Sequence, residues 1–181
     1  MSIMDKDVKE VLIDEETLQN RIRELGQKIS KDYAGKNLML ICVLKGAVLF
    51  MADLAQNIDV PLEMDFMAVS SYGNSTESSG VVRIIKDLDA SIENKDLLIV
   101  EDIVDSGLTL SYLTNLLKGK GVKSLKICSL LEKPARRAAE IDIDYIGFQV
   151  PDKFVVGYGL DYAEKYRNLP YIGVLKEEVY Q

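Results

Sequence analysis

The chain has 181 residues, of which 48% are hydrophobic and only four are proline, and this composition argues against intrinsic disorder. We expect one compact domain spanning residues 1–181. The formal net charge of −7 disfavours nucleic-acid binding, which usually needs a basic face. The amino end lacks the pattern of a secretory signal, and no apolar run reaches the length of a membrane span. These features predict a cytoplasmic protein without a membrane partner.

Histidine is absent from the sequence, and this restricts the possible chemistry. A general base must come from Asp, Glu, Lys, Tyr or Cys, and no spacing typical of His and Cys metal ligands occurs. The two cysteines, Cys42 and Cys128, each lie within an apolar run. This placement is typical of buried, unreactive thiols.

The first part of the chain alternates between helical and strand-like patterns. Asp14 is placed to cap a helix whose apolar residues recur every three or four positions as far as Tyr33. Residues 38–44 form a continuous apolar run, which predicts a buried strand. Lys45 and Gly46 then begin a turn into a second helix. A Lys-Gly turn is a weak motif by itself, and an ordinary strand-to-helix loop is the alternative.

A strand over residues 62–70 is followed by a segment rich in serine and glycine. We expect a mobile loop over about 70–81. A loop of this length is often functional, although a flexible hairpin connection remains an equal alternative. Ser71 and Tyr72 begin this loop, and Tyr72 is its one aromatic residue that could cover a ligand.

The most informative segment is LLIVEDIVDSGLT, residues 97–109. Its apolar start, residues 97–100, is short and continuous and therefore predicts a buried strand. Glu101 and Asp102 are expected where that strand ends. Carboxylates in this position suit a sugar diol or a hydrated metal ion.

A turn of small residues connects this strand to the next predicted helix. The turn begins at Asp105, and a helical pattern follows from Leu108. The first amides of a helix have no partner within the helix, and the helix dipole is positive there. Ser106, Gly107 and Thr109 therefore predict a phosphate-binding loop.

Another strand is expected over residues 122–131, and Pro134 after Lys133 ends it. The alternation of strands and helices predicts an α/β fold with right-handed crossovers and a mostly parallel sheet. Ligands of such sheets bind beyond the carboxyl ends of the strands. We therefore expect the polar residues at these ends to converge on one cleft: Lys45, Glu101, Asp102, Asp105 and Lys133.

The segment EDIVDSGLT, residues 101–109, resembles the phosphoribosyl-pyrophosphate signature of the type I phosphoribosyltransferases. The segments LKGA, SSYG, LEK and PDKFVVGYGLDYAEKYRNLPY follow the order of the family's hypoxanthine-guanine branch, and the likeness covers about residues 8–176. It implies the type I phosphoribosyltransferase fold. That fold has a mostly parallel twisted sheet flanked by helices, a mobile loop and a small hood, whose carboxy-terminal part is expected over about 150–181.

The resemblance implies a purine salvage enzyme, a pentosyltransferase. Such an enzyme transfers the 5-phosphoribosyl group from 5-phospho-ribosyl 1-pyrophosphate to N9 of hypoxanthine or guanine, and the products are IMP or GMP and pyrophosphate. The resemblance also implies magnesium (Mg2+) as cofactor and a homodimer or homotetramer. The reaction would pass through an oxocarbenium-like state.

Roles for individual residues are likewise implied only by the resemblance. The 5′-phosphate would be held by Asp105, Ser106, Gly107, Leu108 and Thr109. Glu101 and Asp102 would face the ribose hydroxyls and the magnesium ion. Pyrophosphate would be bound by Lys45, Gly46 and Arg167, together with Ser71 and Tyr72 from the loop. The peptide bond before Lys45 is often cis in relatives.

For the purine, the resemblance implies that Phe154 stacks on the ring and that the backbone of Val155 reads its edge. Lys133 would donate to the exocyclic O6, and Asp105 would accept the N7 proton, so these two residues are the catalytic candidates. Asp161 would ligate a magnesium ion beside the base.

Three alternatives remain open from the sequence. The first is a phosphoribosyltransferase that prefers xanthine, and the second is a regulatory module of the same fold that binds nucleotides and RNA. The third is a receiver-type α/β domain with an acidic pocket. Ala47 and Leu108 depart from the family pattern, since many members have glycine at the first position and some have lysine at the second.

Overall fold

A computed structural model describes residues 2–71 and 82–181 of the protein, with the backbone alone at Ser71. Tyr72 and the rest of the expected loop lie outside the described residues. The described chain contains four α-helices: α1 (Glu15–Asp32), α2 (Val48–Gln56), α3 (Leu108–Lys118) and α4 (Glu177–Tyr180). It contains nine strands: β1 (Val8–Ile13), β2 (Leu38–Leu44), β3 (Leu62–Ser71), β4 (Val82–Lys86), β5 (Asp96–Val104), β6 (Ser124–Glu132), β7 (Tyr145–Gln149), β8 (Val155–Val156) and β9 (Ile172–Leu175).

The larger sheet has six strands in the order β4-β3-β2-β5-β6-β7. Strands β3, β2, β5, β6 and β7 run parallel, whereas β4 pairs antiparallel with β3 at one edge. The prediction of an α/β fold with a mostly parallel sheet is therefore confirmed. Because parallel strands end on the same side, the loops after β2, β5 and β6 open at a common edge.

Both faces of this sheet are buried, which explains the continuous apolar runs of its strands. On one face, Leu38, Leu40 and Cys42 of β2 share a core with α1 and α2. On the other face, Met39 and Ile41 of the same strand share a second core with α3. A strand covered on both sides needs apolar side chains at every position rather than at alternate ones.

The two cysteines are free and fully buried, as predicted. Burial raises the pKa of the Cys42 thiol to about 12 and also raises the pKa of the Cys128 thiol. Since the thiolate is the reactive form, both side chains act as small core residues.

Helix α1 begins as the sequence predicts. The Asp14 carboxylate accepts a hydrogen bond of 2.8 Å from the Thr17 amide and thereby caps the helix. The predicted apolar stripe is buried along its whole length: Leu18, Ile22, Leu25, Ile29 and Tyr33. Among the helices of the described chain, none is both long enough and apolar enough to span a membrane.

Strand β5 is longer than the sequence indicates, and the expectation of a strand ending near residue 100 is wrong. Its pairing with β2 stops at Val100, opposite Cys42, but its pairing with β6 continues to Val104, opposite Glu132. Glu101 and Asp102 therefore lie within the strand, beyond the point at which β2 stops pairing with it. One neighbouring strand is enough to keep this acidic segment extended.

The smaller sheet is antiparallel, with the strand order β1-β9-β8. Two of its strands come from the carboxy-terminal region expected to form the hood, and β1 comes from the amino end, which the sequence analysis did not assign to it. Tyr158, which follows β8, donates a hydrogen bond from its hydroxyl to the Asp53 carboxylate of α2. A Cβ atom at Gly159 would fall on the Gly46 carbonyl oxygen, so this segment packs directly on the turn after β2.

The two leucines of α2 offer a matched test of the packing. Leu54 is fully buried, whereas Leu49 is 38% exposed. We expect Leu54→Ala to lower the free energy of unfolding by about 2–5 kcal/mol, because it leaves a cavity in the core. Leu49→Ala should cost less than about 1 kcal/mol. Urea unfolding followed by circular dichroism measures both, and equal losses would contradict the assigned burial.

Candidate active site

The loop between β5 and α3 lines a cleft of about 130 Å³ at the carboxyl edge of the large sheet. Gly107 has a φ of 79°, which glycine adopts without steric cost, and α3 begins at the next residue. The cleft is lined by Glu101, Ile103, Val104, Asp105, Ser106, Gly107, Thr109 and Leu110. Amide groups of the first helical turn therefore border a cavity, which is the arrangement predicted for a phosphate loop.

A segment after β6 braces this loop from outside. The amides of Ala138 and Ala139 donate to the Ser106 carbonyl over 2.9 and 3.0 Å. Arg137 anchors the segment, because its guanidinium bonds the Glu132 carboxylate at 2.5 Å and the Ile141 carbonyl at 3.0 Å. The sequence analysis did not identify Arg137, since nothing in its position indicates a contact with a loop thirty residues earlier.

Glu101 lines the cleft and is followed directly by a second carboxylate, Asp102. Glu101 is only 9% exposed. Burial, followed by the neighbouring Asp102 charge, raises the pKa of Glu101. Burial also raises the pKa of Asp102, although the Ile103 amide, at 2.7 Å, and the Arg167 charge act in the opposite direction. A cation placed beside the two carboxylates would lower the free-energy cost of ionising them.

The turn after β2 lies directly against these carboxylates. The Leu44–Lys45 peptide bond is cis, as the resemblance implied. A Cβ atom at Gly46 would fall on the Asp102 carboxylate, so only glycine fits at this position without displacing it. The Lys45 ammonium extends away to Glu164, which it contacts at 2.9 Å.

Arg167 lies in a second group of charges near this turn. Its guanidinium contacts Asp161 at 3.2 Å and Glu164 at 3.4 Å, and it donates to the Gly159 carbonyl at 2.7 Å. Glu164 thus contacts both cations that the resemblance assigned to pyrophosphate, Lys45 and Arg167. The sequence analysis overlooked Glu164, because an exposed Glu near a chain end carries no distinguishing signal.

The three expected metal ligands are not gathered into one set. Within residues 2–71 and 82–181 there is no group of three or more His, Cys, Asp or Glu side chains placed to hold a metal ion. Glu101 and Asp102 are neighbours, whereas Asp161 pairs with Arg167 and accepts from the Glu164 amide at 2.9 Å. Asp161 is held by a positive charge instead of completing a carboxylate cluster.

Lys133 and Asp105 are connected through two residues that the sequence analysis did not identify. Lys133 is buried and contacts Asp152 at 3.9 Å. Arg136 contacts Asp152 at 2.6 Å and Asp105 at 3.8 Å. The Oδ1 atom of Asp105 is buried and has no hydrogen-bond partner among the described residues. An acceptor and a donor therefore lie at the two ends of one chain of charges.

Phe154 belongs to a cluster of three aromatic rings. It stacks on Tyr180 with a centroid distance of 4.9 Å and meets the edge of Tyr162 at 5.7 Å. Its side chain remains partly exposed. Val155 follows in β8, where it pairs with Val174. Tyr180 was not predicted to contact this residue, because the two are far apart in the sequence.

Contacts connect several of the residues that were expected to converge at the strand ends. Gly46 meets Asp102, and Asp105 is linked to Lys133 through Arg136 and Asp152. The Lys45 side chain is the exception, since it reaches Glu164. The side chain of Ser71 and the whole of Tyr72 lie outside the described residues, so their expected places are not tested.

Comparison with known proteins agrees with this geometry. The family model of the phosphoribosyl transferase domain matches residues 10–163. The chain is 60% identical over 179 residues to the hypoxanthine-guanine phosphoribosyltransferase of Bacillus subtilis, covering 99% of each protein. A solved structure of a hypoxanthine phosphoribosyltransferase from Staphylococcus aureus superposes with a TM-score of 0.97 at 57% identity, covering 99% of this chain and 98% of that one.

Some relatives are considerably longer than this chain. It is 60% identical over 177 residues to the bifunctional protein TilS/HprT of Listeria monocytogenes, and it spans 27% of the length of that relative. The family model nevertheless covers most of the chain, and the B. subtilis relative matches it from end to end. On these grounds the chain belongs to the phosphoribosyltransferase family and has the type I fold.

Proposed function

We propose that the protein is a purine salvage enzyme, which transfers the 5-phosphoribosyl group from 5-phospho-ribosyl 1-pyrophosphate to N9 of hypoxanthine or guanine. The products are IMP or GMP and pyrophosphate. One observation carries the proposal above all: a phosphate-type loop at a helix start borders a cleft that the buried Glu101 also lines, in a chain 60% identical to a protein named for this activity. The rest of the site supplies groups for each part of the substrates.

The 5′-phosphate of the sugar binds at the loop from Asp105 to Thr109. Backbone amides at the start of α3 have no partners within the helix and donate to the phosphate oxygens. The hydroxyls of Ser106 and Thr109 border the same cleft and add donors. The Leu108 amide donates to the Ser106 hydroxyl oxygen at 3.3 Å, so Leu108 would support the loop through its backbone.

The ribose diol and Mg2+ belong at Glu101 and Asp102. The pair fits a cation, because burial raises the pKa of both carboxylates and an added positive charge would stabilise their ionised forms. Mg2+ is usually held by one or two carboxylates together with water and substrate oxygens, so Asp161 is not needed in the same set. When bound, the ion supplies charge that stabilises the departing pyrophosphate.

Pyrophosphate is bound on the opposite side of this pair, by Lys45, the Gly46 backbone and Arg167. The two cations both contact the Glu164 carboxylate, which shows that one anionic group reaches both of them. Pyrophosphate oxygens would take the place of that carboxylate. Positive charge aimed at the leaving group stabilises it as the glycosidic bond breaks.

The purine lies between the Phe154 ring on one side and the charged groups of Asp105 and Lys133 on the other. Phe154 offers a partly exposed aromatic ring for stacking, and Val155 follows it in β8. Lys133 donates to O6. The unpartnered, buried Oδ1 atom of Asp105 accepts the N7 proton as N9 forms its bond with the anomeric carbon. The carboxylates below the ribose offset the positive charge that develops on the sugar.

A product assay tests the proposed activity and its base preference together. The protein is incubated with Mg2+, 5-phospho-ribosyl 1-pyrophosphate and one of hypoxanthine, guanine, xanthine or adenine, and nucleotides are separated by chromatography. We expect IMP and GMP and no AMP, because Lys133 is a hydrogen-bond donor that matches O6 and does not match the 6-amino group of adenine. Formation of XMP alone would support the xanthine alternative, and no nucleotide from any base would refute the proposal.

Asp105 is the proposed acceptor of the N7 proton. Asp105→Ala should lower kcat roughly 10²-fold or more, which is the range for loss of an acid–base group. The KM for hypoxanthine should change much less. Asp142→Ala serves as control, since Asp142 is an exposed aspartate away from the cleft. A kcat equal to that of the wild type would remove Asp105 from the mechanism.

The buried carboxylate pair predicts an unusual pH dependence of stability. Because the pKa of Glu101 is raised in the folded state, the folded protein binds more protons than the unfolded chain above the normal carboxyl range, and stability falls as pH rises through that window. Without Mg2+, Glu101→Gln should therefore raise the free energy of unfolding at pH 7, because the variant has no carboxylate to ionise at the buried position.

The gain should shrink as the pH falls from 7 into the normal carboxyl range, because the raised pKa favours protonated Glu101 in the folded wild type. Denaturant titrations across this pH range measure the difference between variant and wild type, and Glu140→Gln, at an exposed position, is the control. Addition of Mg2+ at pH 7 should stabilise the wild type more than Glu101→Gln. If Glu101→Gln is less stable than the wild type at pH 7 without Mg2+, the ionised Glu101 carboxylate does not destabilise the folded protein, and the prediction is wrong.

A further inference from the structure

Four charged side chains of alternating sign connect the two groups that face the purine. Asp105 contacts Arg136 at 3.8 Å, Arg136 contacts Asp152 at 2.6 Å, and Asp152 contacts Lys133 at 3.9 Å. The two outer members have proposed roles in the reaction. The two inner members, Arg136 and Asp152, have none so far.

Asp152 is the more important of the two inner residues, because it contacts Lys133. The side chain of Lys133 is only 9% exposed, so its ammonium group is largely removed from water. A buried ammonium group needs a neighbouring negative charge or several acceptors to remain charged and oriented. Among the described residues, Asp152 is the carboxylate in salt-bridge contact with it.

Backbone hydrogen bonds connect Lys133 both to the end of β5 and to Arg136. The Lys133 amide donates to the carbonyl of Val104, the residue before Asp105, at 3.0 Å. The Arg136 amide donates to the Lys133 carbonyl at 3.1 Å, so both cations belong to one tight turn. Asp152 enters from a different segment, two residues before Phe154. Its carboxylate therefore connects the segment that contains Phe154 to Lys133, which follows β6.

The two outer groups are chemically complementary to the edge of a 6-oxopurine. O6 and N7 lie side by side on that edge, and in the reacting tautomer O6 accepts a hydrogen bond while N7–H donates one. Lys133 and Asp105 offer the complementary donor and acceptor. A 6-aminopurine has an amino group, a hydrogen-bond donor, in place of O6. The Lys133 ammonium group would then face another donor and would find no acceptor there.

We propose that Asp152, linked to Asp105 through Arg136, is a positioning residue that holds Lys133 towards O6 and thereby sets the preference for 6-oxopurines over 6-aminopurines. This inference rests on the function proposed above. Asp152 and Arg136 do not touch the reacting atoms. They act by keeping the donor and the acceptor of the site aligned with each other.

The test compares Asp152→Asn, Asp152→Glu and Arg136→Gln with the wild type, and Asp142→Asn is the matched control at an exposed aspartate outside the chain of charges. Four quantities are measured: kcat, the KM for hypoxanthine, the KM for 5-phospho-ribosyl 1-pyrophosphate, and the inhibition constant of adenine. Thermal unfolding of each variant is recorded in parallel.

For Asp152→Asn we expect kcat/KM for hypoxanthine to fall about tenfold or more, because a buried charge loses its partner. The KM for the sugar pyrophosphate should stay within about twofold, and the inhibition constant of adenine should not rise with the KM for hypoxanthine. Asp152→Glu, which restores the carboxylate, should recover part of the loss. Arg136→Gln should lower kcat/KM for hypoxanthine less than Asp152→Asn does.

The inference is overturned if Asp152→Asn keeps the wild-type preference for hypoxanthine over adenine. It is also overturned if hypoxanthine, adenine and the sugar pyrophosphate all bind more weakly by the same factor, since that result indicates a general structural role. If Asp152→Asn does not fold, wild-type kinetics in both Asp152→Glu and Arg136→Gln would overturn it. A wild-type protein that forms no nucleotide refutes the proposed function itself, whereas failure of the variants alone refutes only this inference.

Discussion

The placement of two adjacent carboxylates in β5, one buried and one half-buried, is the constraint on which the rest of the site depends. Glu101 and Asp102 lie in the strand but beyond its pairing with β2, so their side chains occupy the space where the two strands part. Gly46 has to be glycine because the turn after β2 packs on Asp102, and Gly159 packs in turn on Gly46. Burial raises the pKa of Glu101 and Asp102, so ionising these carboxylates costs free energy in the folded protein. A cation beside them would lower that cost.

The cations of the site are balanced by carboxylates in the same way. The net charge of the chain is −7, but Lys45, Lys133 and Arg167 belong to the candidate site. Lys45 and Arg167 contact Glu164, and Lys133 contacts Asp152. An anionic substrate that reaches these cations replaces the carboxylates that contact them. Each cation then exchanges one anionic partner for another and is not desolvated as an unpaired charge. An acidic protein can therefore bind phosphate and pyrophosphate without a basic surface.

Sequence reasoning identified the elements and the strand-end residues because both depend on local patterns. Continuous apolar runs marked β2 and β5, and a small-residue turn before a helical pattern marked the loop at Gly107. The end of β5 was misjudged, since an acidic pair looks like a strand end unless the pairing with β6 is known. The contact of Asp161, an expected magnesium ligand, with Arg167 was not predicted, because the pairing of these charges depends on tertiary packing.

The sequence by itself determined the α/β class, the order of the elements and the family, since periodicity, turn residues and a short signature are all local in the chain. Only the tertiary structure decided which charges became partners. Arg136, Asp152 and Glu164 contact residues that the sequence analysis had assigned to the site, yet no pattern of spacing distinguishes them from other surface charges. A salt bridge between segments depends on where strands end and loops pack, and these positions are set only when the sheet is assembled.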